Sequence, residues 1–247
     1  MKLGKSISST IFYYCFFKSS IPALSQQKTF YNCFNEALIY ELGSHQELIS
    51  KDTAIENLLH LYSDSLLIKM NETVVESDLP LSKALPESTL GNWIADAARS
   101  TLSVRKRIDA CIINYGSIGK DYIAPGFLTR KDFYELVPFE NKLVIISVSG
   151  SLLHTICDSI AAIKGMPISG ISFTIDSGKA KKILINNQPV NEFLMYTILV
   201  NDYLLNSRIL GPLIGKLNYQ YTGITLRKAL LLRAETMINK GEHIHQL

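Results

Sequence analysis

An α+β fold, with mixed or antiparallel sheets packed against helices, is predicted by three observations. Apolar residues recur at helical spacing in several stretches. Short runs rich in branched residues read as strands. The two kinds mix without the strict alternation that a doubly wound sheet requires. With 247 residues and 47% hydrophobic content, the chain can supply the core of one domain.

The first helix opens at Lys51, with Asp52 or Thr53 as its cap and Ile55, Leu58, Leu59, Tyr62, Leu66 and Leu67 along one face. Residues 73–77 (TVVES) suit a short strand. A second helix begins at Pro86 and carries an apolar stripe of Leu90, Ile94, Ala97 and Ala98; a strand at 110–113 follows. Thr129 and Asp132 have cap-plus-acid spacing, which starts a short helix that Pro138 stops. Residues 142–149 (KLVIISVS) read as a strand, and Gly150 turns the chain into a helix over 151–164. Segments 171–176, 182–185 and 195–200 read as consecutive strands of one antiparallel sheet, the first turn lying at Ser177-Gly178. Thr225 caps a last helix over 226–239, and residues 30–42 read as an irregular strand pair.

The formal charge of +3 is concentrated at the beginning of the chain. Residues 1–25 contain Lys2, Lys5 and Lys18 and no acid, so the remainder balances 22 basic against 22 acidic residues. A neutral body with no basic block excludes a nucleic-acid binder. Residues 10–17 (TIFYYCFF), followed by Ala23, Leu24 and Ser25, have the order of an export leader, although Lys18 cuts the apolar stretch short. The expected organisation is a leader at 1–25, an extension at 26–50 and a domain at 51–247, in a periplasmic or secreted protein. A cytoplasmic N-terminus is the alternative. No stretch is apolar enough for a membrane span. Cys15, Cys33, Cys111 and Cys157 are scattered without a CxxC, and Cys111 and Cys157 read as small core residues.

The stretch NYGSIGK, 114–120, follows a strand and offers small residues and a lysine. Its glycines, Gly116 and Gly119, lack the spacing of a P-loop and of a dinucleotide fingerprint. Five motifs in order say more: PESTLGNWIADA, DACIINYGSIGK, APGFLTRKDFYELVPFENKLVIISVSG, ISGISFTID and YTILVNDYLLN. Together they resemble the 5'-nucleotidase C-terminal domain, over about residues 51–206 and less distinctly to the last helix. In the family this substrate-specificity domain is usually fused behind a metallophosphoesterase domain that holds two metals. The metal motifs of that domain are missing here. His45, His60, His154, His243 and His245 are scattered, and His243 and His245 read as solvated tail residues. Two-metal hydrolysis needs carboxylates and imidazoles that clamp both oxygens, so no cofactor is expected in this chain. The divalent metals are expected in a separate metallophosphoesterase chain, as in stand-alone forms of the domain.

The resemblance also implies a substrate site. The family stacks a nucleoside base between two rings, at positions that match Phe139 and Tyr203. Stacking contributes about 1–3 kcal/mol per base; the alternative is that both are core aromatics. Asn114 matches the family residue that meets the base edge, and Gly116 lies in the same turn. The second Gly of the motif is Ser117 here, and its Arg is Gly119. A backbone N–H replaces a planar charged fork, with Lys120 one position late. A further family Arg corresponds to Ala84, and the family Gly-Gly-Asp that holds the ribose hydroxyls corresponds to Ser207, Arg208 and Ile209. Asn92 and Asp96 read structurally, with Asp96 tying its helix to the 114–120 loop. Glu135 and Glu140 read as surface carboxylates. Two functions follow. One is a nucleoside- or nucleotide-recognition domain of a split 5'-nucleotidase-type hydrolase in nucleotide catabolism. The other is a degenerate binding or scaffold domain that no longer binds nucleotide.

Overall fold

The computed structural model describes residues 53–245; the expected leader, the extension and the strand pair at 30–42 lie outside them. Helix α1 (Thr53–Met70) leads into β1 (Thr73–Ser77), β2 (Leu81–Ser82) and α2 (Thr89–Ser103). After β3 (Ala110–Ile112) come β4 (Tyr122–Ile123), β5 (Gly126–Thr129) and α3 (Arg130–Leu136). Next are β6 (Lys142–Ser149), α4 (Gly150–Ala162), β7 (Ile168–Ser169), β8 (Ile171–Asp176), β9 (Lys179–Ile185) and β10 (Gln188–Pro189). The described chain closes with β11 (Met195–Asn201), α5 (Gly211–Ile214), β12 (Tyr219–Thr225) and α6 (Leu226–Asn239).

Local chemistry accounts for the helix starts. Ser88, Ser149 and Thr225 each accept a backbone N–H from their helix's first turn, and Thr129 with Asp132 forms a full capping box. Helix α2 buries Leu90, Ile94, Ala97 and Ala98, the expected stripe. Helix α1 has the expected period, yet Ile55, Leu58, Leu59, Tyr62, Leu66 and Leu67 all remain more than half exposed.

The centre is a five-stranded mixed sheet of order β12-β6-β11-β3-β7. Strand β11 runs parallel to β3 and antiparallel to β6. Successive side chains of a strand point to opposite faces, and this divides the core in two. Cys111, Leu143 and Leu199 join a cluster with α2, α3 and α6, while Ile112, Val144, Ile198 and Val200 join another with α4, β8 and β9. Cys111 and Cys157 are buried core thiols; burial pushes Cys111 upward and Cys157 up to about 12.

Two expectations are corrected here. Strand β11 does not continue the sheet of β8 and β9; β9 pairs with both β8 and β10 in a separate three-stranded sheet. Residues 198–201 of β11 are buried on both faces, the mark of a central strand, whereas most of β8 and β9 is partly or wholly exposed. Asp96 does not reach the 114–120 loop; it accepts a short hydrogen bond from Ser169 on β7, and Asn92 donates to Glu87 at 3.1 Å. The tail histidines keep exposed side chains, 40% for His243 and 66% for His245, and they are paired as well. A parallel bridge pairs Ser77 with Ile244, and His243 and His245 meet Asp78 at 2.8 and 2.7 Å.

The fully buried Ile198 packs at the middle of the sheet. Ile198→Ala is expected to lower the unfolding free energy by about 2–5 kcal/mol, read as a lowered midpoint in urea titration.

Candidate functional site

Strand pairing places the expected site residues at one end of the central sheet. In the antiparallel β6–β11 pair, Leu143 faces Asn201, so the segment before β6, with Phe139, and the segment after β11, with Tyr203, leave the sheet together. Val200 faces Ile112 in the parallel pair, which brings the turn at 114–117 to the same end. Asp202 reinforces the junction by accepting the Lys142 N–H at 3.1 Å.

A buried polar knot ties these three segments. The Ser117 hydroxyl donates to the Asn114 side-chain oxygen at 2.6 Å and accepts from the amides of Asn141 at 2.7 Å and Asn201 at 2.8 Å. Asn201 also donates to Asn114 at 2.6 Å. Turning the Asn114 amide over, with Asn201 following, brings its oxygen to the Gly116 and Ser117 N–H groups at 3.3 Å each. That orientation is preferred, because it also gives the Gly116 N–H an acceptor; the Ser117 N–H meets the Asn114 backbone carbonyl at 3.1 Å in either one. In either orientation the Asn114 amide is engaged inside the knot. Ser117 and Asn201 are fully buried, and Gly116 is exposed above them.

The two rings have a different environment. Phe139 is 53% exposed and Tyr203 58%, so neither belongs to the core. The Phe139 turn is braced by Arg227 of α6, a residue that motif reading missed. Its guanidinium lies 4.2 Å from the Tyr134 ring centroid, donates to the Val137 carbonyl at 2.9 Å and forms a short ion pair with Glu140. Asn141 and Asn201 were missed too. Their only sequence signal was a polar residue next to a branched apolar run.

Cations near the 114–120 loop are matched to carboxylates. Lys120 contacts Asp132 at 2.9 Å and Glu135 at 2.7 Å, and Lys83 contacts Asp121 at 3.1 Å. Burial alone would lower the Lys120 pKa, but hydrogen bonds to Glu135 and Asp132 outweigh it and hold the ammonium above its usual value. Burial likewise opposes the Asp132 charge. The Thr129 N–H, the Thr129 hydroxyl and Lys120 together overcome it and hold the carboxyl below the usual range. Gly119 packs against the end of α3. Its N–H donates to the Leu136 carbonyl at 2.8 Å, and an added Cβ would lie 2.6 Å from the Glu135 carbonyl oxygen. A side chain there, Arg included, collides with backbone unless the loop moves. Arg208 is exposed and has no carboxylate partner among the described residues. Two grooves of about 500 Å³ run beside α2, one reaching Trp93 and the other Phe173, and neither lining includes Phe139 or Tyr203.

A family model described as the 5'-nucleotidase C-terminal domain matches residues 70–209. Among solved structures, the chain is similar to a 5'-nucleotidase precursor of Thermus thermophilus. The two are 17% identical with a TM-score of 0.62, covering 75% of this chain and 40% of that one. NAD nucleotidase of Haemophilus influenzae is 18% identical with a TM-score of 0.62, covering 79% of this chain and 40% of that one. Thermus thermophilus sulfate thiohydrolase SoxB, in complex with glycerol, is 12% identical with a TM-score of 0.57, over 79% and 37%. These likenesses show the fold, and the chain spans about 40% of the length of those proteins. No curated protein matches it by sequence.

Two tests follow from the geometry. Asn201→Leu keeps the branched skeleton in a larger volume and strands the knot's buried polar atoms, so it is expected to cost at least about 1–3 kcal/mol in chemical denaturation. Because the folded Asp132 pKa lies below its unfolded value, its stabilisation is present above the ordinary carboxylate range and is lost as pH falls through the folded pKa. Asp132→Asn is expected to remove that part of the acid-side loss of stability, measured as unfolding midpoint against pH from 7 down to about 3.

Proposed function

Since the chain belongs to the 5'-nucleotidase C-terminal domain family, we propose that it recognises a nucleoside or nucleotide for a separate metallophosphoesterase chain, outside the cytoplasm, in nucleotide catabolism. The observation that carries this reading is the exposure of Phe139 and Tyr203 on two segments locked together by the Ser117 knot. Exposed rings on a rigid base are what base stacking requires, and stacking contributes about 1–3 kcal/mol per base without choosing among bases. Gly116 is exposed above the knot, with the Asn114 amide 2.9 Å from where a Cβ would stand. Asn114 and Lys120 contribute through the shape of the turn, since their polar ends are held by Ser117 and Asn201 and by Asp132 and Glu135.

Phosphate recognition is weak in this reading. The loop offers no unpaired cation, and Gly119 has no room for the family Arg. Arg208, exposed and without a carboxylate partner among the described residues, is one cation available to a phosphate group. The same observations favour a second reading, a degenerate domain that serves as a scaffold. The phosphoester chemistry and its two metals belong, in the first reading, to the partner chain.

Calorimetry separates the two. Adenosine and AMP are expected to bind with affinities within about tenfold of each other. Phe139→Ala and Tyr203→Ala are each expected to weaken adenosine about 5- to 150-fold, the equivalent of one lost stack. Absence of binding by both ligands to the folded chain defeats the recognition reading and leaves the scaffold.

A further inference from the structure

Four metal-ligating side chains from the two ends of the described chain meet on one surface. Strand β1 carries Glu76 and leads directly into Asp78, the two separated by the buried Ser77, and the tail carries His243 and His245, separated by the buried Ile244. The parallel bridge between Ser77 and Ile244 is held by two backbone hydrogen bonds, from Ile244 N–H to Glu76 O at 2.8 Å and from Asp78 N–H to Ile244 O at 3.1 Å. Alternation along a strand then sends both carboxylates and both imidazoles to the same side.

Three of the four lie close enough to share a small ion, and His245 adjoins them through Asp78. His243 Nδ1 lies 2.8 Å from Asp78 Oδ1, His243 Nε2 lies 3.6 Å from Glu76 Oε2, and His245 Nδ1 lies 2.7 Å from Asp78 Oδ2. One donor atom from each of Glu76, Asp78 and His243 lies within 4.8 Å of the others. The two imidazole rings are stacked, with centroids 6.0 Å apart. Ligand bonds of about 2.0–2.2 Å in a tetrahedron put donor atoms about 3.3–3.6 Å apart, so the hydrogen-bonded pairs need to part by roughly half to one ångström, and His243 binds through one of its two nitrogens. All four side chains are a third or more exposed, which leaves them free to make that adjustment.

We propose that Glu76, Asp78, His243 and His245 bind one divalent transition-metal ion, with zinc the best match, and that the ion clamps residues 243–245 onto β1. Two imidazoles and two carboxylates suit zinc and its neighbours, whereas calcium and magnesium prefer sites made wholly of oxygen. A single ion held this way is unlike the two-metal centre of a phosphoesterase, so the clamp is structural. It adds to the bridge and its two backbone hydrogen bonds a further link that holds residues 243–245 on β1.

The test uses the full chain stripped with a chelator, titrated with Zn2+ by calorimetry and with Co2+ by visible absorption. One ion per chain is expected, with a tetrahedral-type Co2+ band that Zn2+ displaces. Affinity is expected to fall at least tenfold in His243→Ala and in Asp78→Asn, and to stay unchanged in His154→Ala. If those variants do not fold, His245→Ala, whose side chain is 66% exposed, carries the same expectation of weakened binding. No stoichiometric binding by the unaltered chain overturns the site, and so does undiminished affinity in a folded His243→Ala or His245→Ala protein.

Discussion

The candidate site depends on one buried hydroxyl. Ser117 has a single proton and two lone pairs, and three amides, those of Asn114, Asn141 and Asn201, surround it. Each amide comes from a different segment, and each segment adjoins a different strand of the central sheet. Buried polar atoms without partners cost more than their hydrogen bonds contribute when made, so the three segments are compelled to meet in one arrangement. The family pattern has glycine at this position, and glycine brings no side chain to such a hub. Here the serine sits at 0% exposure with all its hydrogen-bonding capacity used.

That constraint anchors the backbone beside two large aromatic rings that remain at the surface. The backbone segments that carry Phe139 and Tyr203 are anchored within two residues by Asn141 and Asn201. The Phe139 segment has a second anchor in Arg227, which reaches across from α6 to the Val137 carbonyl and Glu140. A guanidinium this deeply buried is tolerable because an acceptor, a carboxylate and an aromatic face all meet it. Rigid segments that present apolar rings lower the ordering cost of binding. The lysines beside the 114–120 loop are already paired: Asp132 and Glu135 hold Lys120, and Asp121 holds Lys83.

Much of the fold was legible because its signals are local. Thr129 and Thr225 announce their helices through side-chain bonds that span three residues. The period of α2 matched its buried face, since that helix lies directly on the sheet. Local pattern failed where the same evidence fits two destinations. Residues 195–200 look like one more strand after a hairpin, yet they run between β6 and β3. The apolar period of α1 is correct as a helix signal, although it did not translate into burial among the described residues.

Sequence alone determined the α+β class, the capped helices, the family and the two candidate rings, because each rests on residues close together or on motifs in fixed order. Only the tertiary structure decided that Ser117 is a hub, that Arg227 braces the Phe139 turn 88 positions away, that Lys120 is already paired, and that the tail histidines face Glu76 and Asp78. The physical reason is common to all four. Hydrogen bonds and ion pairs act over a few ångströms in space, and which distant residues come within that range is set by strand order and register, which local pattern does not encode.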